Sequence, residues 1–404
     1  MTSKRQKPTD PPQPSLKGRE FTSSCKCFSP FKGESERVYS DIFAENTGIS
    51  SMVLQDGKVS QAQQVCLYGA GIRSVQGTET RYAYTMDLSE EGLRKAAKSL
   101  TPTPLRGEGL SLQDFIHPFL PSPRRGVGGE AVRQFLLDVE AKAHALDPSV
   151  IRVKAYVSQR MQEVKFAASD GTTFHDFRPR SSLSVSIVME RGGKTQMGFA
   201  SRMLQMGKEF FTDALIEEVV SEAIQRTDFL FTASQIEGGE MPVVMAAGSS
   251  GILLHEAIGH AFEADFIRTG DSIFTGQLGK QICHPSISIV DDGTLPNDAG
   301  MLRYDDEGIP GQRTVLVHEG KLNSFLYDRI SAKHFGVKPT GNGRRESFRC
   351  TPIPRMRSTY MLPGEATEED IIRSVRRGIY AQSFTNGQVQ IGAGDFTFFM
   401  KNNF

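Results

Sequence analysis

The sequence predicts an α+β chain: a small N-terminal α+β domain, a middle α/β region and a mainly antiparallel β C-terminal domain that carries a histidine-bearing helix. Three observations carry that prediction. Runs of β-prone residues alternate with short Gly- or Asp-bearing turns, amphipathic helical repeats interrupt them, and one apolar stretch places two histidines and a glutamate within six residues. Shifts in composition mark a basic, Pro-rich tail over 1–36, an N-terminal domain over 37–100, a linker over 101–128, a middle domain over 129–236 and a C-terminal domain over 237–404.

In the tail, residues 1–33 carry seven Lys or Arg against two acids, with Pro8, Pro11, Pro12 and Pro14 close together and no apolar signal-peptide core. That composition predicts disorder. Cys25 and Cys27 read either as free thiols or as a metal-chelating pair. Ordered structure is expected from about Val38, with a strand at Tyr39 to Glu45 and a hairpin of Met52 to Gln55 and Lys58 to Ser60 about Asp56-Gly57. Further strands are expected around Gln64 to Leu67, Gly71 to Val75 and Tyr82 to Thr85, then a helix opened by Ser89, with Glu90 and Glu91 suited to its amino end.

After the Pro- and Gly-rich linker, Val132, Phe135, Leu136, Val139, Ala143 and Leu146 recur at helical spacing, a core-packing pattern. Strands at Ile151 to Val157 and Val164 to Ala168, a turn at Asp170-Gly171 and a long strand from Ser182 to Glu190 follow, and helix resumes at about Thr212 to Arg226. In the C-terminal domain Met241 to Gly248 reads as a buried strand, Ser249 or Ser250 as an N-cap, and Ile252 to Asp265 as a largely apolar helix. Strands at Ser286 to Val290 and Arg313 to His318 come next, the latter reversing into Leu322 to Tyr327 through Glu319-Gly320. A last helix over about Thr367 to Arg377 is capped by Thr367 with Asp370.

The chemistry concentrates in His255-Glu256-Ala257-Ile258-Gly259-His260. In H-E-x-x-H the histidines stand at i and i+4 on one helix face, reach one zinc ion together, and the glutamate acts on the attacking water. Here the spacing is i to i+5, which on a regular helix turns the second imidazole roughly 140° from the first. A one-residue π-bulge would bring the two rings together, and Gly259 would ease that distortion. Two histidines and a glutamate on so apolar a helix are costly to bury without partners, so the run reads as a zinc site or as a satisfied structural histidine pair.

Composition narrows the alternatives. Lys plus Arg and Asp plus Glu both number 47, so no global field argues for nucleic acid or an anionic membrane, and no apolar run is long enough to span a bilayer. Five scattered cysteines suit a reducing, cytoplasmic location better than a disulfide framework.

His255 to Phe266 (HEAIGHAFEADF) resembles the H-E-x-x-x-H helix of the TldD branch of the TldD/PmbA family of zinc metallopeptidases. The similarity spans roughly residues 38–399. It includes Ser169-Asp170-Gly171, Arg178-Pro179, Val290 to Thr294, Asp305 to Gly308, Thr340 to Arg345, Pro354-Arg355-Met356, Thr359 to Gly364 and Gly378-Ile379-Tyr380. The family's other branch lacks the histidine motif. The resemblance implies a zinc-dependent peptidase acting on unfolded or flexible peptides, with a TldE/PmbA-like partner subunit or as a homo-oligomer. It assigns His255 and His260 as zinc ligands and Glu256 as general base toward zinc-bound water.

Three departures accompany it. The family's third zinc ligand, a cysteine, is expected beyond Phe404, which reads as a C-terminal truncation and leaves Cys283, Cys350, His284, Glu263 and Asp265 as substitutes by chemistry. Glu263, three residues after His260, is the nearest of these, and a carboxylate partner to the histidine is the other reading of it. The basic tail replaces an amphipathic N-terminal helix, and Phe199 to Gly207 occupies a usually glycine-rich stretch. A catalytically impaired pseudoenzyme or assembly subunit is therefore the alternative function. Arg344, Arg345, Arg349, Arg355 and Arg357 read either as a basic loop for a peptide carboxylate or partner, or as a solvated loop. Asp305, Asp306 and Glu307 read either as a cation site or, more simply, as a turn flanking Gly308.

Overall fold

A computed structural model describes residues 38–100, 126–234, 238–248, 250–390 and 392–403. The expected tail, nearly all of the expected linker and Ser249 lie outside these residues.

Strands β1 (Tyr39–Gln55), β2 (Lys58–Gln76) and β3 (Glu79–Thr85) precede helix α1 (Glu90–Lys98). Each of the first two replaces two or more shorter expected strands. Their hairpin turns at Asp56 and Gly57, with φ of 49° and 76°, the left-handed pair that a two-residue turn matching strand twist requires. Ser89 caps α1, its side chain accepting from the Gly92 N–H. Helix α2 (Gly129–Leu146), strands β4 (Val150–Ala168), β5 (Thr173–Arg191) and β6 (Lys194–Leu204), and helix α3 (Asp213–Thr232) follow.

The expected N-terminal and middle domains share one antiparallel sheet, ordered β3-β2-β1-β4-β5-β6. What joins them is β1, paired along its length with β2 on one side and, from Asp41 to Gln55, with β4 on the other. Strand parity then assigns two faces. Ile42, Ala44 and Leu54 of β1, with Ala155, Leu183, Val185 and Ile187, point to the side covered by the three helices, where Leu93, Leu136, Val139, Val219 and Val220 complete the core. Phe43, Phe166 and Phe174 point the other way and meet Phe348 and Tyr304 of the C-terminal segment. Residues 40–47 of β1 are therefore buried on both faces.

The C-terminal segment opens with β7 (Val243–Met245) and the histidine-bearing turn, followed by helix α4 (Ala264–Thr269). Strands β8 (Ile289–Asp292), β9 (Arg313–His318) and β10 (Lys321–Leu322), helix α5 (Arg329–Phe335), strands β11 (Gly343–Arg344), β12 (Ile353–Pro354) and β13 (Ser358–Met361), and helix α6 (Glu368–Ser374) come next. Strands β14 (Ile379–Gln390) and β15 (Asp395–Asn403) close the series. They build a four-stranded sheet ordered β10-β9-β8-β13, a two-stranded pair β11-β12 and a three-stranded sheet β15-β14-β7. Among the pairings of the described strands, β14–β7 alone is parallel. The buried strand expected over Met241 to Gly248 shrinks to β7, which has a single neighbour and leaves Val243 and Met245 exposed.

The acidic run Asp305-Asp306-Glu307 forms the expected turn at Gly308, whose N–H donates to the Asp305 carbonyl at 3.2 Å and whose φ is 79°, but the turn is buried rather than open to a cation. All three side chains are buried and fully engaged. Glu307 accepts from Arg73 Nη1 at 2.6 Å and from the Arg329 N–H, Asp306 from Arg178 Nη1 at 2.6 Å and the Arg345 N–H, and Asp305 from the N–H groups of Glu307, Ile309 and Gly343. Arg345 reaches Asp41 of β1 at 2.7 Å, and the Phe348 N–H reaches Glu45. These bonds tie the C-terminal segment onto the six-stranded sheet. The arginine–carboxylate bonds among them bury charges that a core tolerates only in pairs.

Candidate metal centre

The long regular helix expected over Ile252 to Asp265 does not form. A helical turn at Gly251–Leu253 passes into a π-helical turn over Leu254–Gly259, then a 3-10 turn over His260–Phe262, and Glu263 breaks to extended backbone at φ −68°, ψ 121° before α4. The physical cause is one inserted residue. In the π-turn the His260 N–H donates to the His255 carbonyl, five residues back rather than four. The wider turn cancels the angular lag of the i+5 spacing, and the two imidazoles stand with ring centroids 4.6 Å apart at 80°.

Gly259 serves this turn differently from the expectation. Its φ is −58°, ordinary helical backbone, so no conformational freedom is used. What matters is the missing side chain: a Cβ there would lie 1.9 Å from Met356 Sδ, which packs against the turn.

His255 is exposed, whereas Glu256 and His260 are half-buried. Partial burial and then the neighbouring His260 push the His255 pKa down, favouring the neutral ring that can offer a lone pair. His260 is pushed the other way, first by its hydrogen bond to Glu263. Glu256 sits between the histidines in sequence and turns its stem toward β14, where a Cβ on Gly387 would lie 3.4 Å from Glu256 Cγ and closer still to Phe398.

Two imidazoles brought face to edge, with a carboxylate one residue from the first, suit a borderline cation such as zinc as a partial donor set. The substitute ligands inferred from chemistry do not complete it. Glu263 Oε2 is held by His260 Nδ1 at 3.2 Å and Arg355 Nη1 at 2.7 Å, and Asp265 lies 4.0 Å from the same Arg355 nitrogen. Cys283 Sγ faces the Gly320 carbonyl, Cys350 Sγ faces Glu346, and His284 bonds Ser286. Among the described residues, no group of three or more His, Cys, Asp or Glu side chains is arranged to hold a metal ion.

The arginine-rich segment is mostly structural. Arg345 is buried against Asp41, Arg357 donates to the Gly341 carbonyl, and Arg355 pairs with Glu263, while Arg349 alone is exposed, over the Phe348 ring. Burial pushes the Arg344 pKa down. Sequence reasoning named Met356, Arg355 and Glu263 but missed the contact of Met356 with Gly259 and the Arg355–Glu263 pair, and it missed Gly387 altogether. No local signal marks these contacts, because each meets the motif across at least 92 residues of chain.

Comparison with known proteins agrees along the chain. Family models described as PmbA/TldA metallopeptidase domain 1, central domain and C-terminal domain match residues 40–101, 123–228 and 238–404. The Haemophilus influenzae protein named Metalloprotease TldD homolog is 36% identical over 373 residues, which cover 89% of this chain and 77% of that protein. A Saccharolobus solfataricus protein named Zinc metalloprotease TldD homolog is 30% identical over 271 residues, 66% of this chain and 59% of its own. The crystal structure of TldE from Thermococcus kodakarensis shares the fold with a TM-score of 0.66 at 19% identity, covering 87% of this chain and 80% of that one.

Proposed function

The chain belongs to the PmbA/TldD metallopeptidase family, and from that premise we propose that it cleaves peptide bonds in unfolded or flexible peptides, with His255 and His260 holding zinc and Glu256 as general base. The observation that carries this reading is the bond from the His260 N–H to the His255 carbonyl, which sets two imidazoles side by side despite their five-residue spacing.

Bound zinc supplies Lewis acidity toward the scissile carbonyl and toward water. Glu256 takes the proton from the attacking water and delivers it to the departing amine. His255, neutral at physiological pH, and His260, fixed through its Nδ1, supply nitrogen donors. The name of the Saccharolobus relative supports zinc over other ions. An extended peptide laid along β15, the terminal strand of its sheet, would be recognised through main-chain hydrogen bonds with little side-chain selectivity.

A TldE-like subunit, or a second copy of this chain, is the proposed partner, supported by the shared fold with TldE. A cytoplasmic location is supported by Cys66, Cys283 and Cys350, all free thiols. Among the described residues no helix is long and apolar enough to cross a membrane.

Zinc stoichiometry and cleavage of an unstructured peptide by the purified chain, with and without its partner, test the proposal. One zinc per chain, lost in His255→Ala together with cleavage, is the expected result. Cleavage that persists in the metal-depleted His255→Ala protein would overturn it.

A further inference from the structure

Glu263 occupies the break between the 3-10 turn and α4, with its side chain fully buried. Its surroundings are pinned. The Leu326 N–H donates to the Phe262 carbonyl at 2.9 Å, the Ala264 N–H donates to the Leu326 carbonyl at 3.0 Å, and the Glu263 N–H returns to the His260 carbonyl at 3.2 Å. From that fixed backbone, Oε2 reaches His260 Nδ1 at 3.2 Å and Arg355 Nη1 at 2.7 Å.

Arg355 is itself clamped. Its N–H donates to the Asn342 carbonyl at 2.9 Å, and its own carbonyl accepts from Asn342 Nδ2 at 2.9 Å. Asn342, 1% exposed, also donates to Asp291 of β8 at 2.7 Å. The next residue, Met356, packs on Gly259. One loop thus touches the π-turn at its widened backbone and, through Glu263, at one of its rings.

An ionised carboxylate only accepts hydrogen bonds, and a neutral imidazole has one N–H and one lone pair. With Glu263 on the Nδ1 side, the proton must sit on Nδ1 and the lone pair on Nε2. Without Arg355 the buried carboxylate would lack a countercharge. Such carboxylate–histidine pairs fix ring orientation and raise ligand basicity.

We propose that Glu263 is a positioning residue rather than a substitute ligand: it holds His260 with Nε2 free for the ion shared with His255, and Arg355, set by Asn342 and Asp291, holds Glu263. The inference rests on the metal reading above. It makes Asp291, Asn342, Arg355, Glu263 and His260 one chain of contacts running from β8 to the site.

The test uses the full chain in three forms: wild type, Glu263→Gln and Arg355→Met. Zinc affinity is measured by competition with a chromophoric chelator, and the His260 tautomer by long-range proton–nitrogen NMR on metal-free protein at alkaline pH, where the ring is neutral. Glu263→Gln should weaken zinc binding roughly 10- to 100-fold and shift His260 from the Nδ1–H form toward the Nε2–H form. Arg355→Met should move both readouts in the same direction by a smaller factor, and it serves alone if Glu263→Gln fails to fold. Zinc affinity within twofold of wild type in both variants, or an Nε2–H tautomer in the wild type, overturns the proposal. If the wild type takes up no zinc, the metal reading fails by itself and the tautomer decides: Nδ1–H lost in Glu263→Gln supports the positioning role, and no change rejects it.

Discussion

Arg73 and Glu307 lie 2.6 Å apart, nitrogen to oxygen, with no solvent exposure on either side chain and a sequence separation of 234 residues. Arg73 also donates to Asp41 Oδ2 through Nε at 2.8 Å, so one guanidinium spans a carboxylate of the six-stranded sheet and one of the C-terminal segment. Removing Arg73 strands the buried Glu307 carboxylate, whereas removing Glu307 leaves Arg73 paired with Asp41. Arg73→Met should cost about 3–5 kcal/mol in urea unfolding, and Glu307→Gln less. A loss below about 1 kcal/mol would mean that this pair contributes little to holding the two segments together.

Glu256→Gln keeps the shape of the site and removes its base. Zinc content should stay at the wild-type level while turnover of an unstructured peptide falls roughly 10²- to 10⁴-fold, the usual range for losing a general base. Metal analysis and a fluorogenic peptide assay check both halves. Wild-type turnover with bound zinc would assign the base elsewhere.

Gly259→Ala forces a methyl into the space of Met356 Sδ. Overpacking of this kind costs about 1–3 kcal/mol, and here it should also spread the two histidines and weaken zinc binding. In a double-mutant cycle with Met356→Ala the penalty should shrink, because the smaller side chain vacates the clash. Additive effects would show that the two residues do not meet.

Asp306 sets an acid limit. Burial by itself would raise its pKa, yet Arg178 and Arg344, with the Arg345 N–H, hold it below the ordinary carboxylate value. A folded pKa below the unfolded one contributes stability that is fully present above the unfolded value of about 3.9 and is lost as pH falls through the folded value. Thermal unfolding of wild type and Asp306→Asn should differ most near neutrality and converge as pH drops below that unfolded value. A gap independent of pH would place the effect in packing.

How much was legible in the sequence depended on whether the cause was local. The Asp56-Gly57 turn, the Ser89 cap and the Thr367–Asp370 capping box were readable because their partners lie within three residues. So was the π-turn, since the His255–His260 spacing demands it if the rings are to meet. Strand lengths were not, because Ser40 to Thr47 is buried on both faces and the alternation that marks a half-buried strand disappears there. The union of the first two segments in one sheet depended on β1 pairing with β4, more than a hundred residues of separation for most of its partners. The turn at Gly308 and the pairing of Glu263 with His260, three residues away, were legible, whereas Arg73, Arg178 and Arg355, which bury these carboxylates from 92 to 234 residues away, were not.

The buried pairing across β1 also orders events during synthesis. Asp41 and Arg345 are 304 residues apart, so at roughly 5–20 residues per second the ribosome needs about 15–60 s after making the first to deliver the second. Throughout that interval Asp41, Glu45 and Arg73 are charges on a strand face whose cover does not yet exist, and water is their best available solvent. That face must stay open until the far segment emerges. The nascent chain is then vulnerable at its earliest strands for most of its translation, and a chaperone that shields extended segments would act on β1 and β2 first.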